Sequence, residues 1–173
     1  MLQTIVQRFV RMARFDWTVY SEISQDDQAT QQAALIVGIV ALLSALGTAI
    51  GSGSFVAAFL VKIILVIAVN WLLWTYALVF AGTNFMGSTT SFWPMARALG
   101  YAMTPMILVA LSRTGCLGWP VQAVAWLATL VLCVFAVREA LVISTEKSIA
   151  VTAATWLVIV IIATFPSLIF SWY

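Results

Sequence analysis

The sequence predicts an all-α integral membrane protein, and two observations lead to this fold class. Of the 173 residues, 64% are hydrophobic and only 8% are charged, against roughly a quarter charged in ordinary soluble domains. Too little polar surface remains to cover a water-soluble globule. In addition, five apolar runs are long enough for helices that cross a bilayer, and an amphipathic segment precedes them.

These runs define the predicted domain organisation. Residues 1–28 form an N-terminal cytoplasmic segment and residues 29–173 a five-helix membrane domain. The predicted spans are residues 33–50, 55–81, 92–112, 119–137 and 149–172. At about 1.5 Å per residue, the first span would rise about 27 Å, close to the hydrocarbon thickness of a bilayer.

The N-terminal segment predicts a basic amphipathic helix that lies in the membrane interface. Ile5 and Phe9 recur at helical spacing on an apolar face, whereas Arg8, Arg11 and Arg14 fall on the opposite face. Such a helix buries its apolar face in the headgroup region and binds anionic lipid through its arginines. The alternative is a helix in solvent that packs on the rest of the protein.

An acidic cluster, Glu22, Asp26 and Asp27, precedes the first span. Paired carboxylates can do acid/base chemistry or hold a cation. Ser24 with Asp27, however, has the spacing of a helix capping box. Negative charge is also favourable at a helix N-terminus, so we interpret the cluster as capping.

Small residues recur along the first span, among them Gly38, Ala41, Ala45 and Gly47. Residues without bulky side chains let helix backbones approach closely in lipid. We therefore expect these four positions to form a packing face.

Lys62 and Asn70 lie inside the second span. An intramembrane lysine suggests a function in moving a substrate or a proton. The alternative is structural, because Lys62 is close enough to one end of the span for its side chain to reach the interface.

The central span, residues 92–112, combines Arg97, Gly100, Tyr101 and Pro105. Pro105 removes a backbone hydrogen bond and predicts a kink. Gly100 and Tyr101 should then pack against a neighbouring span. Polar groups freed at the kink could bind a ligand, although neighbouring helices commonly satisfy them.

The distribution of basic residues predicts the orientation in the membrane. With a cytoplasmic N-terminus, the inner side carries Arg8, Arg11, Arg14, Arg97, Arg138 and Lys147. The outer side carries Arg113, and Lys62 is intramembrane. This predicts a cytoplasmic N-terminus and an external C-terminus. Arg97 should meet lipid phosphates or the connection after Arg138, where Glu139 and Glu146 supply negative charge.

The composition also argues against several functions. The absence of histidine removes the commonest metal and haem ligand, and Cys116 and Cys133 are interpreted as free thiols, so no cofactor is expected. A net charge of +2 is too small for a nucleic-acid interface. No nucleophile–base pair is apparent, and we do not expect an enzyme.

Three stretches carry a resemblance to a known family. They are Ser24-Gln25-Asp26-Asp27, Arg97-Ala98-Leu99-Gly100-Tyr101-Ala102 with Pro105, and Ala136-Val137-Arg138-Glu139-Ala140-Leu141 with Ser144-Thr145. Their order among the spans resembles the Yip (Ypt-interacting protein) membrane domain family, in its prokaryotic branch. The resemblance implies a five-helix bundle with a cytoplasmic N-terminus, in the cell membrane of a prokaryote. Eukaryotic members contact small GTPases through long N-terminal regions, which this sequence does not show, so GTPase binding is not expected.

We interpret the protein as a non-enzymatic multi-pass membrane protein that binds, organises or stabilises other membrane components. Its expected partners are the lipid bilayer and other membrane proteins. One alternative is an accessory, helix-packing subunit of a larger, energy-transducing complex. Another is a small transporter or channel that uses Lys62, Asn70 and the kinked third helix. Against transport, five spans do not divide into the two equal repeats that transporters usually show.

Overall fold

A computed structural model describes residues 2–50, 53–113 and 118–170, with side chains for 3–50, 53–108 and 118–161. These residues form helices and short connections, without a β-strand in the described ranges. The helices are α1 (Leu2–Ala13), α2 (Val19–Gln25), α3 (Ala29–Ala49), α4 (Phe55–Phe85), α5 (Phe92–Ala102), α6 (Gly118–Leu141) and α7 (Thr145–Phe170). Cys116, the side chain of Arg113 and the predicted end of the last span at Trp172 lie outside the described residues.

Three described helices, α3, α4 and α6, are long and apolar enough to cross a membrane. They contain or overlap the predicted spans 33–50, 55–81 and 119–137. The predicted span 92–112 is not a single α-helix, because it is divided between α5 and a 3₁₀ segment, Thr104–Arg113. The predicted last span falls on α7, which begins four residues earlier than expected. The α-helical, membrane-type fold class is thus confirmed at the level of these three spans.

Pro105 lies where α5 gives way to the 3₁₀ segment. A proline cannot donate the hydrogen bond that would continue the α-helix to the carbonyl of Tyr101. That carbonyl instead accepts a hydrogen bond of 2.5 Å from the hydroxyl of Thr104. The expected kink in a continuous helix is therefore replaced by a change of helix type. The tighter 3₁₀ winding carries the chain from Thr104 to Arg113.

Helix α4 also departs from regular α geometry, because Leu65–Leu73 is π-helical. A π turn closes its hydrogen bonds between residues i and i+5 and so alters which side chains share a face. Asn70 lies within this segment, two turns after Lys62. The indole N–H of Trp71 donates to the carbonyl of Ala96 at 2.9 Å and ties α4 to α5.

Helix α5 lies in the core of the bundle, and every residue from Met95 to Ala102 is buried. A Cβ built on Gly100 would lie 2.7 Å from the Cβ of Ala33 on α3. The glycine therefore allows the two helices to pack in direct contact. This proximity brings the polar side chains of α5 to the start of α3.

The small residues of α3 do not all serve one packing face. Ala41 and Ala45 are buried, as is Ala33, which precedes them on the same helix by about two and three turns. Gly38, in contrast, has no atom within 4 Å of a Cβ built on it, so no other described part of the chain packs closely there. Gly47 lines a small polar cavity. The buried stripe on α3 is thus built mainly from alanine and valine.

Two helices end in a left-handed residue that is not glycine. Phe15 has φ 62° and Val142 has φ 56°. In each case the next residue donates its N–H to a carbonyl five positions back, Asp16 to Arg11 and Ile143 to Arg138. This is the Schellman arrangement, in which glycine usually occupies the left-handed position. Val142 is 87% exposed, so no packing offsets its backbone strain.

Candidate functional site

The first of two candidate sites is a polar network centred on two buried arginines. Arg8 of α1 is 9% exposed. Its guanidinium donates to the side-chain carbonyl of Gln32 at 2.8 Å, to the hydroxyl of Tyr101 at 3.2 Å and to a carboxylate oxygen of Asp26 at 2.5 Å. Tyr101 also donates to Gln32. One side chain thus connects α1 with α3, with α5 and with the link between α2 and α3.

This geometry corrects the prediction that Arg8 faces lipid. The side of α1 that contacts the protein contains Ile5, Arg8 and Met12, all buried. Val6 and Val10, on the neighbouring edge of the helix, are exposed instead. A guanidinium is stable in this buried position because its N–H groups reach oxygen acceptors, including a carboxylate.

Arg11 is also held by protein rather than by lipid. Its guanidinium bonds the carboxylates of Asp16 at 2.8 Å and Glu22 at 2.6 Å. Arg14 is exposed and Arg11 is partly exposed, so both retain a surface position, whereas Arg8 does not. The structure therefore favours the alternative reading, a helix docked on the rest of the protein.

Arg97, the second buried arginine, is 8% exposed and lies in the middle of α5. Its guanidinium donates to the hydroxyl of Thr30 at 2.7 Å, to the carbonyl of Ser24 at 3.0 Å and to Asp27. It fastens α5 to the segment that joins α2 and α3. The expected partners Glu139 and Glu146 are not used. The close contact of Gly100 with Ala33 explains this choice, because it sets Arg97 beside the start of α3.

The acidic cluster serves these arginines rather than a capping box. The hydroxyl of Ser24 donates to the carbonyl of Ser21 at 2.8 Å, so Ser24 and Asp27 do not form the predicted capping box, and the side chain of the N-cap residue Gln28 makes no capping hydrogen bond. Asp26 accepts from Arg8 and also from the backbone N–H of Gln28 at 2.9 Å. The hydrogen bond from Arg8 holds the pKa of the Asp26 carboxyl below its usual range. Each carboxylate of the cluster pairs with a different arginine.

Arg138 and Glu139 form a separate pair at the end of α6. They bond each other at 2.6 Å, and the Arg138 guanidinium lies 5.2 Å from the ring centre of Phe135. The same Phe135 ring stacks on Trp17, with ring centres 4.0 Å apart. The link before α2 is thereby packed on α6. Together with the two arginine clusters, it fixes the N-terminal helices on the bundle.

The second candidate site is a cavity of about 340 Å³ inside the bundle. It lies between α4, the start of the 3₁₀ segment, α6 and α7. Its walls are mostly apolar and include the indoles of Trp74, Trp126 and Trp156. Lys62 and Asn70 are the cationic and amide groups of this wall. The two residues singled out in the sequence thus share one cavity.

A smaller and more polar cavity of about 120 Å³ adjoins the first. Ser44, Thr48 and Gln122 contribute to its wall. The two chambers have Lys62, Asn70, Met103, Met106 and Trp126 in common. Lys62 and Asn70 therefore stand between an apolar chamber and a polar one.

Several members of these sites were not recognised from the sequence. Thr30 and Gln32 are the acceptors of Arg97 and Arg8, and Trp126 lines both chambers. A glutamine directly before the first predicted span is a signal that could have indicated a polar partner, because a buried amide needs one. Among the described residues, no group of three or more Cys, Asp or Glu side chains is placed to hold a metal ion.

Comparison with known proteins gives one match. The family model of the Yip1 domain matches residues 18–165. This range runs from the residue before α2 into α7. It includes Arg97 and its partners, and also the partners of Arg8, although Arg8 itself lies before it. The residues that line the two chambers fall within the range as well. No curated protein and no solved structure matches the chain.

Proposed function

Since the chain belongs to the Yip1 domain family, a family of membrane proteins, we propose that it is a non-enzymatic multi-pass protein that binds, organises or stabilises other membrane components. The proposed binding partner at its outer surface is another membrane protein. We also propose that the chain crosses the membrane five times. Helices α3, α4 and α6 would be three of the crossings, and α5 and α7 the other two.

The first half of α4 carries this proposal. Phe55–Ile64 is apolar, yet none of its residues is buried by the rest of the chain. Its outward side includes Val61 and Ile64, which are 54% and 62% exposed. Ala57 and Ala68 are exposed on the same helix. Small residues next to branched ones let a second helix approach closely in lipid.

The ion pairs within the chain support a structural role for the parts of the molecule outside this surface of α4. Arg8, Arg11, Arg97 and Arg138 are each engaged in an ion pair within the chain. These ion pairs hold helices and links of the chain together, which supports the proposal of a role through surface contacts.

The orientation belongs to the same proposal. Arg14 and Lys147 are exposed, and they fall on the same side of the membrane if the chain crosses it five times. An excess of basic residues marks the cytoplasmic side. We therefore place the N-terminus in the cytoplasm of a cell whose plasma membrane contains the protein, and the C-terminus outside.

Site-specific photocrosslinking in native membranes tests the proposal. A photoreactive amino acid at Val61 or Ile64 should give discrete protein adducts. The same group at Leu127 of α6, which is 64% exposed, serves as the matched position and should give mainly lipid adducts. If Val61 and Ile64 also gave only lipid adducts, the proposed partner surface would be rejected.

The mass of the crosslinked adduct distinguishes an accessory subunit of a complex from a protein that organises several membrane components. A single partner present in equal amount would identify the protein as an accessory subunit of a complex. Adducts with several membrane proteins would identify an organising role. The discriminating measurement is mass spectrometry of the crosslinked bands after extraction without harsh detergent.

A further inference from the structure

The paired chambers around Lys62 and Asn70 carry an inference that goes beyond the proposed function. We propose that they bind a single-chain amphiphile with a carboxylate head, that is, a fatty acid. Its head would lie at Lys62 and Asn70, and its hydrocarbon chain would occupy the apolar chamber.

The first argument is charge. Lys62 is only partly exposed, and among the described residues its ammonium makes neither an ion pair nor a side-chain hydrogen bond. None of the described residues that line either chamber is acidic. An ammonium that lines a mostly apolar cavity is costly unless an anion compensates it. The described lining residues supply no such anion, so a bound one completes the site.

The second argument is the arrangement of polar and apolar surface. The larger chamber is lined mostly by apolar side chains, and its indoles give it broad apolar faces. The smaller chamber has the polar side chains of Ser44, Thr48 and Gln122 in its wall, and the Thr48 hydroxyl donates to the carbonyl of Ser44 at 2.9 Å. Lys62 and Asn70 lie at the junction. An amphiphile fits this arrangement because its head and its chain prefer opposite chambers.

The third argument selects the head and the number of chains. An ammonium and a primary amide both donate hydrogen bonds, and two donors suit the two oxygens of a carboxylate. The apolar chamber, about 340 Å³, is near the lower end of small-molecule pockets, about 300–1,000 Å³. This volume favours one hydrocarbon chain over the two chains of a phospholipid.

The π-helical segment of α4 contributes to the construction of the site. Asn70 lies within Leu65–Leu73, whereas Lys62 precedes it in the α-helical part. Because a π turn takes up an extra residue, side chains on the two sides of its start are rotated relative to a regular helix. In the structure both side chains line the same two chambers.

The test uses the full chain in nanodiscs of phosphatidylcholine, with a diazirine derivative of dodecanoic acid as the probe. Ultraviolet labelling followed by peptide mapping should place the probe on the segments around Met103, Trp126 and Trp156. Dodecanoate should compete for labelling, whereas dodecanol and dodecyltrimethylammonium should not. Equal competition by dodecanol, or by the two-chain lipid phosphatidylglycerol, would overturn the proposal.

Two lysine variants provide the second measurement. Lys62→Met should weaken the apparent affinity roughly ten- to a hundred-fold, because a charge-assisted hydrogen bond is lost. Lys147→Met makes the same change at the other lysine of the sequence, which is exposed at the start of α7, and should leave the affinity unchanged. Equal affinities for the two variants would reject the site. Should Lys62→Met not fold, the competition series on the unmodified protein still decides the matter, and Lys62→Arg should retain binding.

Discussion

Gly100 of α5 faces Ala33 of α3 so closely that a Cβ on the glycine would meet the Cβ of the alanine at 2.7 Å and its Cα at 3.3 Å. Both are held within helices, so neither can move far without shifting backbone. The contact sets the separation of the two helices. Arg97 and Tyr101 reach their partners on the α3 side only at this separation.

Gly100→Ala should therefore lower the free energy of unfolding by about 1–3 kcal/mol, since it overpacks a helix contact. Gly38→Ala is the control, because it adds the same methyl group on α3 in open space and should stabilise the helix by up to about 1 kcal/mol. Unfolding in mixed micelles measures both. Adding Ala33→Gly to Gly100→Ala should recover part of the loss, and a failure to do so would show that the contact is not the cause.

Gly100→Leu should be more harmful than Pro105→Ala. The leucine side chain adds several atoms at a position that does not accept one, whereas alanine at position 105 restores an N–H donor in a helix. The same unfolding assay ranks the two variants. An equal loss for both would mean that the interruption at Thr104 matters as much as the helix contact.

Removing Arg97 should cost far more than removing its carboxylate partner. Asp27 has a side chain that is 93% exposed, and exposed ion pairs contribute at most about 1 kcal/mol. Arg97→Gln also removes charge-assisted hydrogen bonds to Thr30 and to the carbonyl of Ser24, each worth about 1.5–3 kcal/mol. Asp27→Asn should thus be nearly neutral in thermal unfolding, and Arg97→Gln strongly destabilising. Similar losses would assign the energy to the ion pair instead.

Acid should release α1 from the bundle. The pKa values of Asp16, Glu22 and Asp26 are lowered, through hydrogen bonds from Thr18 and Arg11, from Arg11, and from Arg8, respectively. A carboxyl whose folded pKa lies below its unfolded value, about 4, stabilises the folded state at higher pH. That contribution is lost as the pH falls through the folded pKa.

The protection of the α1 amides against hydrogen exchange, expressed relative to their intrinsic exchange rate at each pH, should accordingly fall below about pH 4, before the protection of α6 does. Asp26→Asn should produce part of the same loss of protection at neutral pH. Glu146→Gln is the control, because Glu146 is exposed at the start of α7 and remote in sequence from the cluster. Protection that is independent of pH would show that apolar contacts of Ile5 and Met12 hold α1 by themselves.

Val142→Gly should stabilise the protein by a few tenths to about 1 kcal/mol, because glycine adopts the positive φ of that position without steric strain. Val142 is exposed, so little packing is lost. Val142→Ala retains a Cβ and should bring no comparable gain. The comparison of the three proteins in thermal unfolding isolates the backbone contribution.

The sequence predicts most accurately what depends on a local pattern. The start of α4 at Phe55 follows from the apolar run, and the burial of Gly100 follows from a small residue in an apolar helix. The family assignment from ordered motifs is likewise confirmed over residues 18–165.

What could not be predicted depends on contacts between distant segments. Helical periodicity shows that Arg8 lies away from Val6, but an anionic lipid and a carboxylate such as Asp26 satisfy a guanidinium equally well. The choice between them is made by the position of α3 and α5, to which Gln32 and Tyr101 belong. Similarly, Lys62 and Asn70 line one cavity with the help of a π-helical segment, and no residue pattern in the sequence predicted that segment.

The separation of Arg8 from its partners along the chain has a consequence for biosynthesis. Asp26 and Gln32 follow it by 18 and 24 residues, whereas Tyr101 follows by 93. Arg8 thus receives one of its partners only after the helices up to α5 have left the ribosome. Contacts of such long sequence separation form slowly, so α1 is synthesised before the helices on which it packs but is among the last to reach its final place.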